Sequence, residues 1–138
     1  MYTSETFIRV RYAETDQMGY VYYGNYAAYY EVARVESLRA LGLNYREFEE
    51  NGVMMPVFEN HSKFLFPARY DDELKIVTRI KDLPGVKIRF NYDIFNTEGK
   101  LIHQGETLLG FVKKHNGVPC RPPTEFIEAL RPFFNHEG

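Results

Sequence analysis

The chain has 138 residues, 17 Lys plus Arg against 19 Asp plus Glu, a formal charge of -2 and 44% apolar side chains, which sets one domain over 1–138 with a core that needs no crosslinks. Near-balanced charge argues against a protein held mainly by nucleic-acid phosphates, and no apolar run approaches the ~18 residues of a membrane span. The lone Cys120 can form neither an internal disulfide nor a multi-cysteine metal centre, and the opening MYTSETFIRVRY lacks the basic-then-apolar pattern of a secretory signal, so a reducing, cytoplasmic setting is expected.

Ile8, Val10 and Tyr12 alternate with Arg9 and Arg11, which predicts a half-buried strand over residues 7–12. The polar, glycine-bearing segment 13–25 interrupts the alternation and reads as a loop. From Asn25 the period changes. Tyr26, Tyr30, Ala33 and Ser37 share one side of a helix, and Ala28, Val32 and Val35 lie close beside them. Glu31 and Arg34 stand three apart, as do Glu36 and Arg39, so the charged surface is narrow and the helix must be largely covered. Asn25 is placed to cap its start and Gly42 to end it. A shorter helix is expected over 45–50, stopped near Asn51 and Gly52.

Beyond Gly52 the pattern is strand-like. One strand runs over 57–66, limited by Pro67, which has no amide proton to donate. Leu74, Ile76, Thr78 and Ile80 alternate with Lys75, Val77, Arg79 and Lys81. A Pro84-Gly85 turn leads to Val86, Ile88, Phe90, Tyr92 and Ile94, and an Asn96–Gly99 turn leads to a long strand over 100–113. Turns this short require antiparallel neighbours. The tail PPTEFIEALRPFF predicts a terminal helix capped by Thr124 and ended by Pro132. The sum is an α+β domain in which an antiparallel sheet with one apolar face wraps the long helix.

Asp16 falls in the loop after the first strand, and Tyr23-Gly24-Asn25 stands at the helix start. The first turn of a helix has unpaired amides and the positive end of the helix dipole, so it can hold a developing negative charge. A carboxylate aimed at the same space can attack a carbonyl or deprotonate water while those amides stabilise the oxyanion. Asp16 also has a plainer reading as a turn cap, and Gly19 and Gly24 as turn residues.

The run Tyr12-Ala13-Glu14-Thr15-Asp16-Gln17-Met18-Gly19-Tyr20-Val21-Tyr22-Tyr23-Gly24-Asn25-Tyr26, followed by Tyr30-Glu31-Val32-Ala33-Arg34, resembles the signature of acyl-CoA thioesterases of the 4-hydroxybenzoyl-CoA thioesterase type, with further likeness over 64–74 and 105–111. The resemblance implies the hotdog fold, an antiparallel β-sheet wrapped around a long central α-helix. It also implies homodimers or homotetramers paired through their sheets, with active sites between subunits. By position, Asp16 is then the nucleophile or general base, and the Tyr23 backbone amide, with Gly24 nearby, polarises the thioester oxygen. Many relatives carry His at Tyr23. Tyrosine, with a reference pKa of about 10, cannot replace an imidazole near neutral pH, which shifts weight to Asp16 and backbone donors.

Glu31 and His61 are possible auxiliaries, against plainer roles for Glu31 as an ion-pair partner of Arg34 and for His61 as a packed or interface residue. Lys63, Arg69, Lys87 and Arg89 are candidates for the coenzyme A phosphates, and Tyr26, Tyr30 and Phe58 for the acyl pocket or for ordinary core. The four histidines show no HExxH spacing, so no metal site is expected. The expected activity is hydrolysis of an acyl-CoA thioester to a carboxylic acid and free CoA, with coenzyme A as part of the substrate and no retained cofactor. The alternatives are an acyl-carrier-protein thioesterase and a non-catalytic acyl-thioester binding or assembly protein. Neither nucleic acid nor membrane is an expected partner.

Overall fold

In the computed structural model, which describes residues 1–134, alternate residues of the long strands turn inward. β4 (Glu73–Ile80) buries Leu74, Ile76, Thr78 and Ile80, and β5 (Lys87–Phe95) buries Ile88, Phe90, Tyr92 and Ile94. β6 (Leu101–Gly110) adds Ile102, His103, Thr107 and Leu109. The edges of this five-stranded sheet are β1 (Tyr2–Arg9) and β3 (Val57–Phe64), in the order β1-β4-β5-β6-β3, and every pairing is antiparallel.

Helix α1 (Tyr26–Arg39) lies against the apolar face. Its buried residues are Tyr26, Tyr29, Tyr30, Ala33, Arg34, Ser37 and Leu38, which contains the stripe expected from the spacing. Ala28 and Val32 remain exposed and Val35 half-buried, so one chain covers less of the helix than its sequence leads one to expect. The expected Glu31–Arg34 surface pair is not formed. Arg34 turns inward and bonds to Tyr92 and Thr107, because position 34 falls on the sheet side of the helix between Ala33 and Ser37. Beyond Arg39 the chain turns at Gly42 (φ +81°), where the Leu43 amide donates back to the Leu38 carbonyl at 2.9 Å. Helix α2 (Tyr45–Glu50) follows, capped by the Asn44 side chain.

Several boundaries differ from the sequence reading. β1 occupies Tyr2–Arg9, five residues earlier than expected at its start. Its inward positions Tyr2, Ser4 and Thr6 are mostly small and polar, so hydrophobic alternation does not mark them. The strand stops at Arg9 because its partner begins at Glu73, and Tyr12 is left 77% exposed. β3 ends at Phe64, short of the expected residue 66. The long last strand breaks after Gly110. β7 (Val112–Lys113) pairs instead with β2 (Val53–Met54) in a separate two-stranded sheet, too short to show a period. Helix α3 (Thr124–Leu130) starts after Pro123 without a side-chain cap from Thr124, and Pro132 falls within a following 3-10 turn, Arg131–Phe133.

Candidate active site

A tight turn holds Asp16. Its backbone N–H donates to the Tyr20 carbonyl at 2.8 Å, the Gly19 N–H returns to the Asp16 carbonyl at 3.0 Å, and Gly19 adopts φ +80° to close the loop. The carboxylate Oδ1 accepts from the Met18 amide at 2.9 Å and the Tyr20 amide at 3.2 Å. The plainer reading of Asp16 as a turn cap is thus met, and the oxygen that caps the turn holds the carboxylate in place.

The helix begins earlier than Asn25. A 3-10 turn, Tyr23–Asn25, runs directly into α1 and makes one 17-residue helical run behind extended Tyr22. Asn25 is already helical and caps nothing; its side-chain amide donates to the Glu14 carbonyl at 2.7 Å. The amides of Tyr23 and Gly24 thus lie in the opening turn, where helical N–H groups have no partner within the helix. At Gly24 an added Cβ would lie 2.8 Å from the ring of Tyr22, an exposed side chain that would have to turn aside.

Asp16, Tyr20, Tyr23 and Tyr26 line one groove of ≈ 370 Å³, closed on its apolar side by Phe64, Leu65, Phe66 and Pro67. Tyr26 is buried, stacks on His103 with ring centroids 4.0 Å apart, and meets Phe64 edge-on at 5.4 Å. Burial, with Tyr30 nearby, pushes its phenol up to about 12, so it stays protonated at any working pH. Arg69 stands beside the groove, its guanidinium over the Tyr20 ring at 5.2 Å.

The remaining sequence candidates lie elsewhere in the chain. Tyr30 is buried core, stacked on Tyr92 at 4.4 Å, with its hydroxyl bonded to Ser62 Oγ at 2.6 Å and to His103 Nε2. Phe58 packs over Gly110, and Glu31 lines a second cavity of ≈ 390 Å³ with Arg34 and Tyr45. His61 pairs with Glu59 at 2.8 Å. The four cations do not form one cluster. Lys63 lines a pocket with His61, Lys87 lies against Phe58, and Arg89 is paired with Glu106. The alternation that turns Ile88 and Phe90 inward turns Lys87 and Arg89 to the opposite face of the sheet.

One residue escaped the sequence reading. Glu14 accepts from the Arg11 amide at 2.9 Å, the Arg11 guanidinium at 3.0 Å and the Tyr29 hydroxyl at 2.8 Å. Its backbone carbonyl takes both the Asn25 side chain and the Tyr22 amide. Burial alone would raise its carboxyl, but these donors outweigh burial and hold it below the usual carboxylate range. Glu14 is thus the tie between the Asp16 turn and the helix start. A Glu two residues before the loop aspartate carries no distinguishing mark in the sequence.

An antiparallel sheet wrapped on one long helix, with Asp16 and Tyr23 lining one groove near the helix start, is the architecture of the hotdog fold. Residues 10–130 match the profile of the thioesterase-like superfamily. The acyl-CoA thioester hydrolase YbgC of Escherichia coli is 35% identical over 124 residues, covering 90% of this chain and 92% of that protein. A DHNA-CoA thioesterase from Staphylococcus aureus superposes with a TM-score of 0.92 at 33% identity, over 96% of this chain and 91% of that one. An acyl-acyl carrier protein thioesterase of Arabidopsis thaliana is 32% identical over 132 residues, 94% of this chain and 66% of its own. The chain belongs to the thioesterase-like superfamily and is an acyl-CoA thioesterase by class.

Proposed function

We infer that the protein cleaves an acyl-CoA thioester with Asp16 as its reacting carboxylate and the Tyr23 and Gly24 amides as the oxyanion donors. The observation that carries this reading is the shared groove, in which Asp16 and the start of the helical run face the same apolar space. The thioester oxygen rests at the helix start, and the acyl group lies against Tyr26, Phe64 and Phe66. Two routes fit this placement. The Asp16 carboxylate attacks the carbonyl carbon, expels the CoA thiolate and leaves a mixed anhydride for water to open, or it takes a proton from the water that attacks directly. Single-turnover hydrolysis in oxygen-18 water with hydroxylamine trapping separates them, since label in the Asp16 side chain marks an anhydride opened at Asp16, a trapped acyl-enzyme marks one opened at the acyl carbon, and the direct route gives neither.

The site is completed by a second copy. All eight residues of β3 are exposed and, among the described residues, the strand is paired only with β6, so its other edge is open. Pairing two β3 edges antiparallel about a two-fold axis sets the Phe64 end of one groove beside the Val57 end of its partner and makes the dimer from which a tetramer can grow. Sedimentation showing only monomer at micromolar concentration overturns this assembly.

The decisive assay is hydrolysis of a mixed acyl-CoA panel by the parent and by Asp16→Asn. Loss of turnover with retained folding supports the assignment, and undiminished hydrolysis sinks it. The similarity to an acyl-carrier-protein thioesterase favours a second reading with the same chemistry on a protein-borne thioester, read by giving the enzyme acyl-pantetheine on both carriers.

A further inference from the structure

The free edge of β3 reads symmetrically about its middle. Its ladder with β6 is regular from Glu59 to Phe64, since the register shifts between Val57 and Glu59. Within that stretch Asn60 and Ser62 stand opposite Thr107 and Gly105 of β6 on the helix side, while Glu59, His61 and Lys63 stand opposite Leu108, Glu106 and Gln104 on the outer face. Outward from His61, either direction therefore meets an uncharged polar residue first and a charged one second. The two charges are opposite in sign.

The inner two residues are half used within the chain. The Thr107 hydroxyl donates to Asn60 Oδ1 at 2.6 Å, which leaves the Asn60 Nδ2 donors without a partner among the described residues. Ser62 Oγ shares a 2.6 Å bond with the Tyr30 hydroxyl and keeps a lone pair spare. On the outer face Glu59 holds His61 at 2.8 Å, and Lys63 forms no ion pair among the described residues. Two β3 edges paired antiparallel about a two-fold axis must be centred on a residue, because only then do inner side chains oppose inner ones and outer oppose outer. Three centres keep the regular stretch paired. Asn60 at the axis sets Glu59 against His61 and carries Lys63 past the bulge. Ser62 at the axis sets His61 against Lys63 and the Asn60 amide against the Phe64 ring. His61 at the axis sets Glu59 against Lys63 and Asn60 against Ser62, each twice. The main-chain ladder is much the same in all three, so the side chains decide.

We propose that two copies of the chain pair through β3 in the register centred on His61, each Glu59 facing the partner's Lys63 and each Asn60 donating from Nδ2 to the partner's Ser62. The register rests on the edge-to-edge dimer inferred above. It joins the polar interiors of the two copies, since His103, Tyr30 and Ser62 of one chain then continue into Asn60 and Thr107 of the other. Tyr26 stacks on His103 and lines the Asp16 groove, so the partner's Asn60 ends a chain of hydrogen bonds that begins beneath the groove.

Disulfide trapping of the full chain in a Cys120→Ser background reads the register directly. A cysteine at the centre of the two-fold meets itself, whereas one residue off centre it lies farther from its copy than the about 7 Å that a disulfide spans between Cα atoms. Under mild oxidation His61→Cys forms a covalent dimer, and Asn60→Cys and Ser62→Cys do not. Asn60→Asp keeps the acceptor for Thr107 and removes the donor, and it weakens dimerisation by about tenfold in sedimentation. Glu59→Lys also weakens it by about tenfold, and Glu59→Lys with Lys63→Glu, which exchanges the two charges, restores it to within about threefold. A link at Asn60→Cys or Ser62→Cys, no link in any of the three, undiminished pairing in Asn60→Asp, or no recovery in the exchanged pair overturns this register. A parent that still sediments as a dimer then leaves the edge pairing itself standing, and a parent that sediments only as a monomer removes both.

Discussion

The Glu14 carboxylate accepts a 2.8 Å hydrogen bond from the Tyr29 hydroxyl, and through it the loop that carries Asp16 hangs from the first turns of α1. Tyr29 is buried, so its hydroxyl has no ready substitute for that acceptor. Tyr29→Phe is expected to cost about 1 kcal/mol and Glu14→Ala about 1–3 kcal/mol, because the second leaves a buried donor unpaired. Urea denaturation reads both. Glu14→Ala also lowers kcat/KM by about tenfold or more through displacement of the Asp16 turn. A loss of stability with unchanged kcat/KM would separate this contact from the site.

Asp16→Asn keeps the Oδ1 acceptor for the Met18 and Tyr20 amides and removes the charge. Stability is therefore expected to stay within about 0.5 kcal/mol of the parent, while hydrolysis falls by about 10²–10⁴-fold. Thermal unfolding and steady-state turnover on the same preparations check the two halves. A large drop in Tm would mean that the Asp16 charge serves the turn.

His103 gives the fold a pH signature. The ring is fully buried, and burial lowers its pKa from an ordinary 6.5 to about 4. Between those values the unfolded chain binds more protons than the folded one, so stability rises with pH across this window and is lost as pH falls from about 6.5 toward 4. The full effect is on the order of 3 kcal/mol, since each tenfold loss of proton affinity is worth about 1.4 kcal/mol. Unfolding in urea at pH 7, 5.5 and 4.5 follows it, and His103→Gln flattens the profile over this range. An unchanged slope in that variant would assign the effect to other groups.

Gly105 leaves room for Tyr30. A Cβ built there falls 2.3 Å from both Cζ and the hydroxyl oxygen of Tyr30. The ring cannot yield, because it stacks on Tyr92 and is 1% exposed. Gly105→Ala is expected to cost about 1–3 kcal/mol by overpacking. Gly85, with nothing within 4 Å of its Cβ position, is the control, and Gly85→Ala is neutral or stabilising. Chemical denaturation of the pair checks the contrast.

Strands β4 and β5 and the buried stripe of α1 are legible in the sequence because apolar residues recur there at periods of two and about three and a half. β1 lies away from its expected place because its inward residues include Ser4 and Thr6, which carry no apolar signal. β2 and β7 are two residues each and have no period at all. At the candidate site, the compound pattern around Asp16 and Gly24 points to a loop and a helix start that line one groove. The true helix start at Tyr23 stays hidden because Asn25 has the chemistry of a cap, and only the position of Glu14 shows that its side chain is used elsewhere. Arg34 reads as a surface charge because spacing from Glu31 says which residues are neighbours and not which way they face.

An open strand edge is also a template on which any extended chain can grow. Along β3 the chain carries its own deterrent on one face, where Glu59 and Lys63 place charges on either side of His61. The strand also carries Phe58 and Phe64, each about half exposed, which offer no such guard. During renaturation from concentrated denaturant, crowding should therefore drive precipitation through these two aromatic ends, and a lysine in place of Phe58 should raise the recovered yield.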